Sequence, residues 1–460
     1  MEDHNAISSG DHVVFKTDDK TRVFQVIANR TIFFEKSKLR GADLIGQKYG
    51  TQFELQHGKL IVVVPHSNSA TASTTLAASG KDNRSLVASG DNQKLTQDDI
   101  LKMKEEGISG QDIVGKLVEQ SETFKTKTEF SQEKYIKKKK KKHMVVFRVL
   151  RPNSGLLLDT FNHSPGKICN LRADSLSQLL SYSNVMSGSR VAVVESCQGL
   201  VLGSVMERMA GNGRVLHLYP GNDMNRHMVN SFNFSESQSK ILLEFPLNKL
   251  ASLENGTFLD ADQPETDHTD LSAQQKQDNS SQATHTAVEA GADGDDDSGG
   301  NNKDMEGDDD AQDKEKEEAG ATKDGSSTKG NKRQADQSKN GRAEQEAKRQ
   351  ERQERVKEAA TILMEKSLDS LIIATRHDPV SLLQRLLPYV GPSRPVVVFC
   401  QHKEPLVECY SAVKDSGRGV QMKLAESWYR HYQVLPSRTH ALMSMSGTGG
   451  YLLSFTHIAS

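Results

Sequence analysis

Residues 190–218, RVAVVESCQGLVLGSVMERMAGNGRVLHL, decide the fold. Val191 to Glu195 is a short, nearly unbroken apolar run, the pattern of a strand covered on both faces. Ser196-Cys197-Gln198-Gly199 reads as a tight turn, and Val201, Leu202, Val205, Met206 and Met209 then recur at helical spacing. Gly211 and Gly213 break that helix, and Val215 to Leu218 opens a second strand. The stretch is a βαβ unit.

In a doubly wound sheet the turn after such a first strand is where a nucleotide-like ligand lies, with glycines for close approach and an acidic residue for polar groups. An S-adenosylmethionine methyltransferase asks for an acidic residue followed by glycines at alternate positions. Here the corresponding residues are Glu195, Cys197, Gly199 and Val201, so two of three glycine positions carry side chains. The expectation is a Rossmann-type, methyltransferase-like α/β domain without a cofactor; the plainer alternative is a buried βαβ unit that never held one.

Outward from this unit, residues 11–64 alternate in the manner of strands (12–16, 22–27, 31–36, 52–55, 60–64), separated by turns rich in Asp, Lys and Gly. They suggest a small β-barrel or sandwich, taken as a β-barrel domain over 1–65. Within it Arg30-Thr31-Ile32-Phe33-Phe34-Glu35-Lys36 interleaves basic and aromatic residues, a composition that stacks bases and holds phosphates. The commoner arrangement, phenylalanines on the core face and charges outward, is the preferred reading. Residues 66–90 read as a flexible loop, and 91–143 as a helical, lysine-rich connector in which Thr96 and Asp99 form a capping box.

Lys137, Lys138, Lys139, Lys140, Lys141 and Lys142 follow one another just ahead of an apolar strand at 144–150. Such a run is a solvated tail, a nuclear-import signal or a polyphosphate contact. Tethering to a folded edge favours phosphate contact, with import compatible. The methyltransferase-like domain begins here, its first part covering 144–259: strands at 144–150 and 155–161, a helix at 173–183, the central unit and a strand at 241–245. Residues 260–340 have no hydrophobic periodicity and predict a disordered acidic insertion. A charged helix at 341–364 then leads back into the second part, 341–460, with strands at 371–374, 396–400, 420–424, 431–435 and 451–457 and helices at 379–387 and 405–414. One sheet interrupted by an insertion is expected.

The net charge of −2 conceals a partition. Residues 260–331 hold 21 acidic and 6 basic side chains, which leaves +13 on the other 388 residues. A basic foldable part favours a polyanionic partner. The four cysteines, Cys169, Cys197, Cys400 and Cys409, form no C-x-x-C pair, which suits a reducing compartment. His402, His431 and His440 lack ligand spacing, so no metal is expected. The N-terminal MEDHNAISSGDH has neither the positive nor the apolar region of a secretory signal, so a soluble, unsecreted protein is expected.

With these residues in view, the chain resembles the non-catalytic subunit family of the eukaryotic tRNA (adenine-58-N1)-methyltransferase. The resemblance is carried by KYGTQFEL (48–55), DNQKLTQDDILKMKEEGISGQDIV (91–114), KTEFSQEKYIKKKKKK (127–142), SCQGLVLGSVMERM (196–209), YPG (219–221), EFPLNK (244–249), SRPVVVFCQHKEPLVECY (393–410), YQVLPSRTH (432–440) and GTGGYLLS (447–454). It implies a tRNA-binding paralogue that kept the fold and lost the chemistry. Its expected partner is a catalytic S-adenosylmethionine-binding homologue, two such pairs forming a heterotetramer in the nucleus. Catalytic relatives carry an Asp after a strand where Asp369 to Ile373 stands here, and the match puts Ala374 at that Asp. A methyl group accepts no proton. Catalytic and cofactor-binding residues are therefore expected to be absent, with Cys197, Val201 and Ala374 the degenerate positions. The expected RNA-binding residues are Lys137 to Lys142 and Arg376, the last reaching tRNA held in the partner's site. Two other readings stay open. One is an active methyltransferase using Asp378 as base. The other is a general RNA-binding scaffold or translation-factor component without a methylating partner.

Overall fold

The computed structural model describes residues 5–63 apart from 19, 36, 57 and 58, residues 93–258 apart from 222 and 223, and residues 331–459 apart from 435–438 and 444–446. The expected loop at 66–90 and residues 260–330 of the expected insertion lie outside the described residues.

The N-terminal strands are β1 (His12–Lys16), β2 (Thr21–Gln25), β3 (Thr31–Phe34), β4 (Ser37–Arg40), β5 (Gln52–Gln56) and β6 (Lys59–Val62), and β7 (Val146–Leu150) joins them from later in the chain. Five form an antiparallel sheet in the order β2-β1-β7-β5-β6, while β3 and β4 make a separate hairpin. This corrects two expectations. Among the described residues the ladder is open, with β2 and β6 as edges, so it is a sheet and not a closed barrel. The strand expected to start the α/β domain at 144–150 instead sits at the centre of this sheet, pairing Phe147 with Phe53 and Leu150 with Val14. Its alternation explains why: Phe147 and Val149 are buried and Arg148 is exposed, a strand made for a sheet with one covered face. Phe15, Phe34, Phe53 and Phe147 form the core beneath it, with the Phe15 and Phe147 ring centroids 4.5 Å apart.

Three helices lead from the hairpins to β7: α1 (Gln97–Glu105), α2 (Gly110–Glu119) and α3 (Glu129–His143). Thr96 and Asp99 form the expected capping box on α1. All six consecutive lysines lie on α3.

The second sheet is built from β8 (Arg190–Glu195), β9 (Arg214–Tyr219), β10 (Leu242–Pro246), β11 (Ser370–Ala374), β12 (Pro395–Cys400), β13 (Gly419–Glu426) and, after the small ribbon β14 (Tyr432–Gln433) with β15 (His440–Ala441), β16 (Tyr451–His457). Its order is β10-β9-β8-β11-β12-β16-β13, parallel from β10 to β12, with β16 antiparallel to both neighbours. This is the Rossmann-type order of the methyltransferase fold, and the order reverses beside β8, the switch point whose carboxyl edge takes ligands in open α/β sheets. Strands from both sides of residues 260–330 pair directly, Val193 with Ile372.

Both faces of that sheet are covered, which is why β8 reads as a continuous apolar run. Val191 and Val193 face one core with α5 (Ala173–Tyr182) and α6 (Leu200–Met209), through Leu176, Leu179, Val201 and Val205. Ala192 and Val194 face the other core with Leu363, Leu383 and Leu406. These three come from α9 (Asn331–Met364), α10 (Pro379–Leu386) and α11 (Glu404–Asp415). Short helices α4 (Ser154–Asp159), α7 (Glu236–Ser239) and α8 (Leu250–Glu254) complete the set.

Three further differences from expectation have local causes. Residues 155–161, expected as a strand, enter helix α4 because Asn153 caps it, accepting from Leu156 N at 3.0 Å, and buries Leu157 and Leu158 together. Helix α9 begins at Asn331, ten residues inside the stretch expected to be disordered. The strand expected at 431–435 reduces to the two residues of β14.

Candidate functional site

Glu195 ends β8, and the turn after it needs two left-handed residues in succession, Gln198 at φ +61° and Gly199 at φ +90°. This swings the first amides of α6 back onto the carboxylate. Glu195 accepts from Leu202 N at 2.8 Å and Val201 N at 3.4 Å, so it caps its own helix and does not face outward to a ligand. Burial pushes its carboxyl up to about 7, against the pull of the Leu202, Val201, Gly199 and Cys197 amides.

Where glycines would open a cradle, Cys197 and Val201 are fully buried in the core. Burying a valine contributes roughly 1.5–3 kcal/mol, so these are structural side chains, not incidental fillers. At Gly199 an added Cβ would stand 2.8 Å from the backbone of Arg226. The chain leaving β9 therefore lies directly on the turn, fixed by Met228 N donating to Gln198 O at 3.0 Å.

The ends of β9 and β10 are closed in the same way. Arg226 Nη2 donates to Glu244 Oε2 at 2.7 Å, Arg352 Nε stands 3.2 Å from Glu244 Oε1, and Arg352 also reaches the Tyr219 hydroxyl at 3.5 Å. Glu244 is almost wholly buried between the two guanidinium groups. Beside them burial, with Arg226 adding, drives His217 down to about 3. An adenosyl cofactor does not fit this edge: its cradle, its acidic anchor and the neighbouring strand ends are all filled by the chain itself.

At the end of β11, Ala374 is buried and its carbonyl accepts from Ser196 N at 2.9 Å. Thr375 and Ser196 share a hydroxyl hydrogen bond of 3.0 Å. Asp378 caps α10, accepting from Val380 N at 3.1 Å, Ser381 N at 3.0 Å and the Ser381 hydroxyl, and Ser381 first of all holds its carboxyl below the usual range. A carboxylate so occupied is a helix cap, which removes it as a base. Arg376 stands exposed at this carboxyl edge with its guanidinium donating to Gly166 O. Cys169 and Cys197 lie alongside each other, each thiol against the other segment's carbonyl, 3.7 Å to Ser196 O and 3.4 Å to Ile168 O. Cys197 first, then Arg376 against the effect of burial, holds the Cys169 thiol down to about 7.

The lysines occupy the last turns of α3, where cations complement the helix dipole. At 3.6 residues per turn, six successive side chains point all round the helix. Lys137, Lys138, Lys140, Lys141 and Lys142 are exposed, while Lys139 is half-buried with its Nζ 5.3 Å from the Tyr135 ring centroid, a ring that Lys127 also covers at 4.7 Å. Burial, then Lys104, Lys142 and Lys139, lower His143 to about 4. The helix end is anchored: a Cβ on Gly110 would meet the His143 carbonyl at 2.8 Å. The arginine pair on Glu244 was not visible in sequence, its one signal being an acidic residue inside the apolar strand Leu242–Pro246.

Residues 6–286 match the family model described as the Gcd10p family. The chain is 40% identical over 98% of its length, and 88% of the relative's, to the mouse tRNA (adenine(58)-N(1))-methyltransferase non-catalytic subunit TRM6. To the Dictyostelium discoideum subunit of the same name it is 30% identical, over 99% of this chain and 80% of that one. The solved structure of the tRNA (m1A58) methyltransferase TrmI from Aquifex aeolicus aligns with 99% of this chain and 100% of its own at a TM-score of 0.41 and 10% identity.

Proposed function

The chain belongs to the Gcd10p family, and from that premise we propose that it is the non-catalytic, tRNA-binding subunit of the tRNA adenine-58 N1-methyltransferase. It pairs with a catalytic homologue that binds S-adenosylmethionine and forms 1-methyladenine, two such pairs making a heterotetramer in the nucleus. The observation that carries this reading is the self-filled carboxyl edge of the sheet. Glu195 is spent on α6, Cys197 and Val201 stand where a cradle would open, and Ala374 offers no base. At this edge the described residues combine a methyltransferase-like architecture with a filled cradle and a methyl group, Ala374, at the end of β11.

What it supplies is binding. The lysines of α3 hold tRNA phosphates, and the same cluster serves nuclear import. Arg376, exposed beside the closed edge, contacts tRNA seated in the partner's site.

The test is methyl transfer from labelled S-adenosylmethionine to tRNA by this chain, by the catalytic homologue and by the two together. Activity is expected from the mixture alone, reduced several-fold when Arg376→Ala replaces the native chain. Activity from this chain alone overturns the proposal, and an Arg376→Ala mixture with native turnover removes Arg376 from the tRNA-binding surface.

A further inference from the structure

The hairpin β3–β4 has two faces of opposite character. Ile32, Phe34 and Leu39 point inward and are buried in the N-terminal core. The register pairs Thr31 with Arg40 and Phe33 with Lys38, so these four side chains share the outward face. Phe33 is 62% exposed although its neighbour Phe34 is 1% exposed, and Lys38 Nζ lies 5.4 Å from the Phe33 ring centroid. The sequence-based preference for phenylalanines on the core face therefore holds for Phe34 and fails for Phe33.

The platform is fixed and basic. Gly41 N donates to Arg30 O at 2.9 Å, and a Cβ on Gly41 would stand 2.1 Å from the Ile27 carbonyl, so the hairpin's base is locked against the preceding strand exit. Arg30, Lys38 and Arg40 are exposed here. The nearby acids are Asp43, 3.3 Å from Arg40, and Glu35, 2.9 Å from Lys20, which leaves the cations of this small surface in excess.

We infer that the outer face of β3–β4 is a stacking platform for an unpaired base of the bound RNA, with Phe33 beneath the base and Lys38 and Arg40 on the flanking phosphates. A single ring set among cations suits a nucleotide, which offers a π-face and a negative charge side by side. This differs from α3, where Tyr135 is half-buried, its ring centroid 5.6 Å from that of Phe124 and overlaid by Lys127 and Lys139. The helix tracks the backbone; the hairpin grips a base. The inference rests on tRNA being the ligand of the complex.

It is tested on the full chain in complex with its catalytic subunit, by tRNA binding across a salt series and by binding to a fully paired RNA duplex. Phe33→Ala is expected to weaken tRNA binding roughly tenfold, within the range for loss of one stacked base. The salt slope stays unchanged because no charge is lost, duplex binding is unaffected, and Phe33→Trp restores native affinity. Native tRNA affinity in Phe33→Ala, with the unaltered complex binding normally, overturns the inference and leaves the proposed function intact. Equal weakening toward the duplex, or loss of the catalytic subunit from the purified variant, also overturns it, the latter making this face a protein contact. If the unaltered complex does not bind tRNA, the proposed function fails, and the inference with it.

Discussion

The carboxyl edge of the seven-stranded sheet and the N-terminal surface around α3 and β3–β4 are opposites. At the first, Glu195 is turned onto α6, Arg226 and Arg352 onto Glu244 and Asp378 onto α10, with Arg376 exposed beside them. At the second, five lysines and an aromatic ring stand in solvent. A buried polar group must be satisfied or it costs stability, so a cleft without a ligand is closed by its own side chains. Exposed lysines carry no such demand. The closed edge thus contributes stability, and the exposed cations are the surface proposed to bind tRNA.

The sharpest way to break this contrast is Glu195→Gln. In the unfolded chain this carboxyl titrates near its ordinary 4.5 and in the fold near 7, so the folded state holds a proton that the unfolded state has released between those values. Its contribution is full below 4.5 and is lost as pH rises through 7, a loss of about 3 kcal/mol at 1.36 kcal/mol per unit. Gln keeps an oxygen for Leu202 N and has no proton to lose. Urea unfolding should therefore find Glu195→Gln more stable than the native chain by about 3 kcal/mol at pH 8, the gap shrinking toward pH 5. His217 and His143, lowered to about 3 and about 4, act with the opposite sign, their contribution full above 6.5 and lost on acidification. They cancel between the two proteins. A variant less stable than the native chain at pH 8 would mean that the carboxylate is not merely a buried cap.

The next effect separates the two arginines on Glu244. Arg226→Ala leaves a buried carboxylate facing only Arg352, half of whose side chain is exposed. The cost should be about 2 kcal/mol, below the range for fully buried pairs because a quarter of the Arg226 side chain reaches solvent. Arg352→Ala should cost less than about 1 kcal/mol, as exposed pairs do. Equal losses in denaturant unfolding would show that the edge is not closed from the Arg226 side.

Much of this was legible because it is local. Val191 to Val194 alternates between two apolar cores, which is why its run reads as an interior strand, and Thr96 with Asp99 announces a helix start within four residues. What depends on partners far along the chain was not. Val146–Leu150 precedes the α/β domain in sequence, yet its alternation commits it to β1 and β5. Phe33 and Phe34 differ only in strand parity, which the register with β4 decides. Cys197 and Val201 could be singled out as side chains in the turn and first helical residues after β8, but that Arg226 meets Glu244 depends on the path from β9 to β10.

The smallest effect tests the open side of the contrast. Replacing Lys137, Lys138 and Lys141 with Gln keeps helix propensity and should flatten the salt dependence of tRNA binding by about 0.7–0.9 units of slope for each phosphate no longer neutralised. Lys139→Gln should change it less, because that ammonium lies over the Tyr135 ring and is partly withdrawn from solvent by burial, which also lowers its pKa. In methyl-transfer assays of the complex the triple variant should raise KM and leave kcat nearly unchanged, since phosphate contacts that do not touch the reacting nucleotide favour ground and transition state alike. A fall in kcat at native KM would place the lysines against the reacting nucleotide. An unchanged salt slope would leave α3 a solvated helix or import signal, and RNA affinity would then have to come from the hairpin and Arg376.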